Sequence, residues 1–344
     1  MEIDFNKIIR DSSVVIIFVL VLVFILPEVF AILTYPAIKE QSEAEIDRFI
    51  GGLDQNHSSH EKVEKIMGFV VKDYFQTYDV KPTLCLDPLG RFAVYGELSS
   101  NLSDRPHIRL SSILFDGNPH FIAYYKTGAC EELAVLFNKT ASEAGFKSRI
   151  VRTTAEDHAW NEVYVDDQWV HVDPTLYYHY STGEYPSYEK IWYNYPSAYS
   201  ELNWHGGYSK IFADGTKEDV SSRYTNVGNV SVNFLEPADR IKVKPIGVIR
   251  YSFEDNVEGL QYVFDIGRKD YSITAEKDVI PYLLVKQDTC NFTAIENTTV
   301  QVKLSPKTLK PTLISQLFFL IAVFGGIGCL IAICLQKYAW DNQK

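Results

Sequence analysis

The sequence predicts an α+β fold. Helices and antiparallel strands share a central region, a small β-sandwich follows, and an apolar helix flanks this body at each end. Three observations predict it. An amphipathic helical stretch opening at Cys130 is followed at once by three strand-like runs. Short β-rich runs separated by turn residues repeat after Asp219, the pattern of a sandwich. Two long apolar runs lie near the chain ends. With 344 residues there is room for two domains plus extra segments, and 46% hydrophobic against 22% charged residues excludes a disordered chain.

The first apolar run is Val14 to Leu33, broken only by Pro27 and Glu28; the second is Leu313 to Leu335, with Gln316 its only strongly polar residue. Roughly 20 apolar residues span a bilayer as a helix. Both are expected to be transmembrane. The uninterrupted part of the first, Val14 to Leu26, also fits a signal-peptide core, but no clear small-x-small cleavage site follows, which favours an uncleaved anchor. Lysine and arginine flank both runs on both sides and do not orient the chain. Acceptor sequons Asn-x-Ser/Thr stand at Asn56, Asn101, Asn138, Asn229, Asn291 and Asn297, all between the two runs, which points to an extracytoplasmic middle. Asn138 falls on an expected helix and is the weakest of them. The net charge of -11, without a basic stripe, excludes a nucleic-acid partner.

After the first run, Ala37 to Leu53 and Ser59 to Tyr78 read as helices; Val63, Ile66, Met67, Val70, Val71 and Tyr74 make one apolar face of the second. Residues 79–127 read as irregular, with Pro82, Pro88, Pro106 and Pro119 as breakers. The helix from Cys130 puts Leu133, Leu136, Phe137, Thr140, Ala141 and Ala144 on one face and stops at Gly145. Strands are expected at Ser148–Thr153, His158–Val165 and Trp169–Val172, the last two joined by an Asp166-Asp167 turn. A Tyr- and Trp-rich irregular stretch over 175–207 follows. β-rich runs come next at Val230–Leu235, Arg240–Val243, Val248–Phe253, Leu260–Ile266, Tyr282–Val285 and Thr299–Leu304.

Of five cysteines, Cys329 and Cys334 lie in the second apolar run, leaving Cys85, Cys130 and Cys290. No CxxC pair exists, which argues against structural zinc. A Cys85–Cys290 disulfide and three unpaired thiols both remain open. Cys130 opens a helix, where free N–H groups and a partial positive charge favour thiolate. If Asp166 and Asp167 form a two-residue hairpin turn, Trp160 falls opposite Asp173. His158 then becomes a diagonal neighbour of Asp173 on the same face, within imidazole–carboxylate reach. A one-residue slip destroys the arrangement. Each residue has a plainer reading: a structural cysteine, a strand histidine, a strand-ending Asp-Pro. A Cys, His and Asp metal site with His171 as extra ligand is the other alternative, though no fourth ligand stands at familiar spacing.

The run from Gly128 to Thr175 resembles the core of the transglutaminase-like superfamily. The matching residues are Gly128 and Cys130; Gly145 and Arg149; His158, Trp160, Glu162 and Val163; and Trp169, Val170, Val172, Asp173, Pro174 and Thr175. The resemblance implies a papain-like core, a Cys-bearing helix packed on an antiparallel sheet. It implies Cys130 as nucleophile, His158 as base and Asp173 as its orienter, attacking an amide carbonyl through a thioester. No cofactor and no metal are expected, since the sequence has no CxxC pair and no EF-hand loop. Tyr124, Tyr125 and Trp160 are the candidates for a second oxyanion or substrate contact beside the Cys130 N–H. The acidic pair Glu131-Glu132 suits the helix dipole and reads as structural.

The expected organisation is a short cytoplasmic tail over 1–12, a transmembrane helix over 13–34 and a transglutaminase-like catalytic domain over 35–215. A β-sandwich over 216–308, a transmembrane helix over 312–335 and a cytoplasmic tail over 336–344 complete it. The expected function is a cell-membrane, two-span, extracytoplasmic cysteine hydrolase or acyltransferase acting on a protein, peptide or glycopeptide, touching membrane lipid through its two helices. Asn56, Asn101, Asn229, Asn291 and Asn297 are its glycosylation candidates. The alternative is a non-catalytic surface binding or assembly module of the same fold.

Overall fold

A computed structural model describes residues 25–77, 84–85, 92–95, 107–110, 115, 117–153, 158–183, 211–213, 218–224, 227–246, 253–280, 283–295 and 298–312. The chain divides into two compact units, one within Val19–Thr225 and the other within Asn226–Lys344.

The first unit opens with helix α1 (Leu26–Gly51). Helix α2 (Ser59–Val71) starts at a capping box in which Ser58 and Glu61 bond each other's backbone N–H. The expected extension of α2 to Tyr78 is not formed. The chain leaves the helix after Val71, turns through Asp73 at positive φ and enters strand β1 (Phe75–Gln76). Strands β2 (Leu84–Cys85), β3 (Phe92–Tyr95) and β4 (His107–Leu110) pair as an antiparallel sheet inside the stretch expected to be irregular. Helix α3 (Pro119–Tyr125) begins at the Asn118 cap with Pro119 in its first turn. Strand β5 (Thr127–Gly128) pairs with β1 and delivers the chain to helix α4 (Cys130–Glu143).

Strands β6 (Lys147–Thr153), β7 (Ala159–Val165), β8 (Gln168–Val172), β9 (Ile211–Ala213) and β10 (Glu218–Asp219) form an antiparallel sheet in the order β10-β9-β6-β7-β8. Two short helices complete the unit, α5 (Pro174–Ser181) and α6 (Ser221–Tyr224). One core joins them. Met67 and Val70 of α2, Leu133 and Phe137 of α4, Trp160 and Val163 of β7, and Leu176 of α5 are all fully or almost fully buried in it. Asn161, wholly buried on β7, donates from Nδ2 to the Ala134 carbonyl at 3.0 Å, tying the sheet to α4.

The second unit holds two sheets. Strands β11 (Val227–Phe234), β12 (Arg240–Pro245), β13 (Phe253–Asn256) and β14 (Gln261–Gly267) are followed by β15 (Asp270–Ile280), β16 (Leu284–Thr293), β17 (Thr299–Leu304) and β18 (Thr308–Pro311). The sheet orders are β14-β11-β17 and β13-β12-β15-β16-β18. Buried residues alternate along them, as Val230, Val232 and Phe234 do on β11 and Tyr271, Ile273 and Ala275 on β15. Phe253 of one sheet meets Phe264 of the other with centroids 5.3 Å apart. Cys290 on β16 is a free thiol.

The expectation of two transmembrane helices, and with it the two-span cell-membrane location, is corrected. Among the described residues no helix is long and apolar enough to cross a membrane. Helix α1 takes the tail of the first apolar run but runs on without a break through Lys39, Glu40, Glu43, Glu45, Asp47 and Arg48. It buries Ala31, Ile38 and Ile46 against protein. The runs 14–24 and 313–335 lie outside the described residues. Of the sequons, Asn56 and Asn291 are exposed, Asn229 is half-buried and donates to Asp265, and Asn138 is on α4. Asn101 and Asn297 lie outside the described residues.

Candidate active site

Asp166 and Asp167 both take positive φ, at 50° and 63°, so the β7–β8 turn is the two-residue hairpin type that keeps its strands in register. Val165 pairs with Gln168 and Asn161 with Val172, which carries Trp160 opposite Asp173. The expected juxtaposition results. His158 Nε2 lies 2.7 Å from Asp173 Oδ2, both residues buried. The other carboxylate oxygen, Oδ1, accepts the Thr175 N–H at 2.9 Å and the Leu176 N–H at 3.1 Å. Asp173 is therefore the N-cap of α5 as well as the partner of His158, with Pro174 at the first helical position. Both carboxylate oxygens are fixed, and the imidazole is fixed with them.

Cys130 stands at the start of α4, buried, in hydrogen-bonding and electrostatic contact with His158. Because Nε2 is engaged by Asp173, Nδ1 is the ring nitrogen left for the thiol. The helix start is held locally. Ala129 N–H donates to Glu132 Oε2 at 2.9 Å, and Glu131 pairs with Arg152 at 3.0 Å on the exposed side. Gly128 permits this. A Cβ there would stand 2.5 Å from both the Glu132 Cβ and the Tyr74 hydroxyl. Gly128→Ala is expected to destabilise the protein by about 1–3 kcal/mol and to slow alkylation of Cys130; thermal unfolding and labelling rates measure the two effects. A variant with unchanged melting would show that this corner yields freely.

The site has a definite charge state. Burial by itself lowers the His158 pKa, but the Asp173 carboxylate, its hydrogen bond and the contact with Cys130 outweigh that and raise it from 6.5 to about 10. A folded pKa above the unfolded one gives stability that is complete below the unfolded value and is lost as pH rises through the folded one. The pair is therefore expected to stabilise fully below pH 6.5 and progressively less up to about 10. Urea unfolding of wild type and His158→Gln across that range should show the gap between them narrowing upward. A gap independent of pH would mean that His158 is not charged in the folded protein.

The remaining candidates fall out differently. The Trp160 ring is completely buried and stacks on the His158 ring, centroids 5.5 Å apart at 27°, while its indole interacts with the Tyr224 hydroxyl. It walls the histidine and is not presented as an oxyanion donor. Tyr125 packs with Phe121 and Tyr35 against α1, and Tyr124 is exposed beside it. His171 is buried on the face shared with Asp173, its ring 6.1 Å from that of Trp160. Burial pushes its pKa well below 6.5, with Asp173 opposing. Among the described residues no three His, Cys, Asp or Glu side chains are arranged to hold a metal ion.

Behind Trp160 lies a network that sequence reasoning missed. Buried Glu162 accepts from Arg149 Nε at 2.7 Å, from Arg223 Nη1 at 3.2 Å and from the Tyr224 hydroxyl at 2.5 Å. Glu218 closes it, bonding Arg149 and Arg223. Glu162 and Arg149 stood in the matched pattern. Arg223 and Tyr224 come from a four-residue helix with no periodicity to mark it.

Residues 105–174 match the model of the transglutaminase-like superfamily, a group that generally contains cysteine hydrolases and acyltransferases. The matched stretch holds Cys130, His158 and Asp173 and ends where α5 begins. No curated protein matches the chain.

Proposed function

We propose, from this transglutaminase-like stretch and the constellation within it, that the protein is a cysteine-nucleophile enzyme that cleaves or transfers an acyl group on a protein, peptide or glycopeptide. The observation that carries the reading is the continuous line Cys130–His158–Asp173, with the carboxylate anchored by two backbone N–H groups.

The thiolate of Cys130, paired with the His158 imidazolium, attacks the carbonyl carbon of an amide. The oxyanion forms at the N-terminus of α4, where the Cys130 N–H and the helix dipole favour negative charge. His158 gives its proton to the leaving nitrogen as the C–N bond breaks, leaving a thioester on Cys130 and neutral imidazole. Water or an amine then attacks, His158 takes its proton, and the acyl group leaves as acid or new amide. Asp173 keeps the ring in one orientation and stabilises its charged form throughout.

p-Nitrophenyl acetate, an activated acyl donor, tests this before any natural substrate is known. One equivalent of p-nitrophenol is expected in a burst, with acetyl on Cys130 by mass spectrometry of the acid-quenched protein. A folded protein that gives neither burst nor adduct would favour the non-catalytic binding module.

A further inference from the structure

Tyr224 is the residue that the proposed chemistry leaves unused and the geometry singles out. Its ring is buried and meets Trp160 edge-on, centroids 5.1 Å apart at 67°. Trp160 in turn carries the His158 ring on its face. The Tyr224 hydroxyl is pinned by Glu162, which is itself held by Arg149 of β6 and Arg223 of α6. A rigid column thus runs from a buried ion-pair network, through two aromatic rings, to the imidazole. Tyr224 also lies outside the matched residues 105–174, on a separate part of the chain.

We infer that Tyr224 is a positioning residue for His158: it acts through Trp160 to hold the imidazole in line between Asp173 and Cys130. The inference rests on the reading of His158 as the base. Aromatic pairs in edge-to-face geometry hold orientation as well as area. A site of this kind tolerates little looseness, since a shift of about 1 Å can cost a hundredfold in rate. The phenol stays neutral, since burial and then the adjacent Glu162 carboxylate raise its pKa well above 10. It therefore remains a hydrogen-bond donor to Glu162 throughout the working pH range.

The test is the iodoacetamide labelling rate of Cys130 against pH in the full-length protein, for wild type, Tyr224→Phe, Tyr224→Leu, Glu162→Gln and His158→Ala. Tyr224→Leu removes the ring edge and is expected to slow labelling at pH 6.5 by about tenfold or more and to move the pH profile toward that of His158→Ala. Tyr224→Phe keeps the ring and is expected to restore most of the rate. Glu162→Gln also keeps the ring, but it leaves Arg149 and Arg223 without their carboxylate, so it should lower the melting temperature more than Tyr224→Phe while slowing labelling less than Tyr224→Leu. If Tyr224→Leu does not fold, Tyr224→Met, which fills much of the same space without a ring edge, carries the test with the same expected slowing and shift of profile. A purely structural tyrosine would lower the melting temperature and leave rate and profile untouched, which would overturn the inference. A His158→Ala variant that labels like wild type would instead sink the reading of the triad itself.

Discussion

Replacing Asp173 by alanine is expected to damage fold and chemistry together. One oxygen of this buried carboxylate faces His158 and the other caps α5. Removing a partner from a buried ion pair costs about 3–5 kcal/mol, because the remaining charge is left uncompensated. Losing an N-cap costs about 1 kcal/mol more. Against a typical domain stability of about 5–15 kcal/mol, the variant should be marginal. Asp173→Asn separates the two roles. Its side-chain oxygen can still cap α5, so much of the helix is kept, but the negative charge that stabilises the imidazolium is gone. The asparagine variant is therefore expected to fold and to lose activity by about 10⁴. Urea titration and the acylation burst measure the two losses. An alanine variant destabilised by less than about 1 kcal/mol would contradict a charged, buried pair.

The second large effect concerns the nucleophile. Cys130→Ser exchanges a thiol for a hydroxyl that ionises far less readily, and His158→Ala removes the proton acceptor. Each is expected to reduce acylation by about 10³–10⁶, and the double variant to be no worse than the poorer single one, because residues that act as a unit are not additive. Pre-steady-state release of p-nitrophenol measures it. Independent, additive losses would mean that Cys130 and His158 do not work on the same step.

How much of this could be read from the sequence follows from the kind of pattern each part leaves. The Cys130 helix showed itself through apolar residues at three- and four-residue steps ending at Gly145. The His158–Asp173 contact followed from a two-residue turn and period-two alternation, because hairpin register is local. Other parts were less visible. Asp173-Pro174 reads equally as a strand end or as a helix start with cap and N1 proline; only the tertiary fold shows it is both. Strand β15 is hard to see in the sequence because Glu276, Lys277 and Asp278 hide the alternation of Tyr271, Ile273 and Ala275. Strands β2, β3 and β4 are short and lie among prolines, so no run was long enough to mark them. The partners of Glu162 are distant in sequence, at Arg149, Glu218, Arg223 and Tyr224, and a buried salt-bridge network has no periodicity at all. The expectation of membrane-spanning helices came from length and hydropathy alone. Those two properties did not anticipate that α1 continues into a charged, protein-packed helix.

The most direct measurement compares two of the five cysteines, Cys130 and Cys290, in one sample. Cys130 is buried beside His158, and Cys290 is a partly exposed free thiol in the other unit, so Cys290 serves as an internal standard. Iodoacetamide labelling is followed peptide by peptide from about pH 5 to pH 9, spanning the range in which thiols change reactivity. If the Cys130–His158–Asp173 line is a working triad, Cys130 is labelled faster than Cys290 at pH 6, despite its burial, and His158→Ala abolishes that advantage. A Cys130 that lags behind Cys290 at every pH, with a profile unchanged by His158→Ala, would contradict the account.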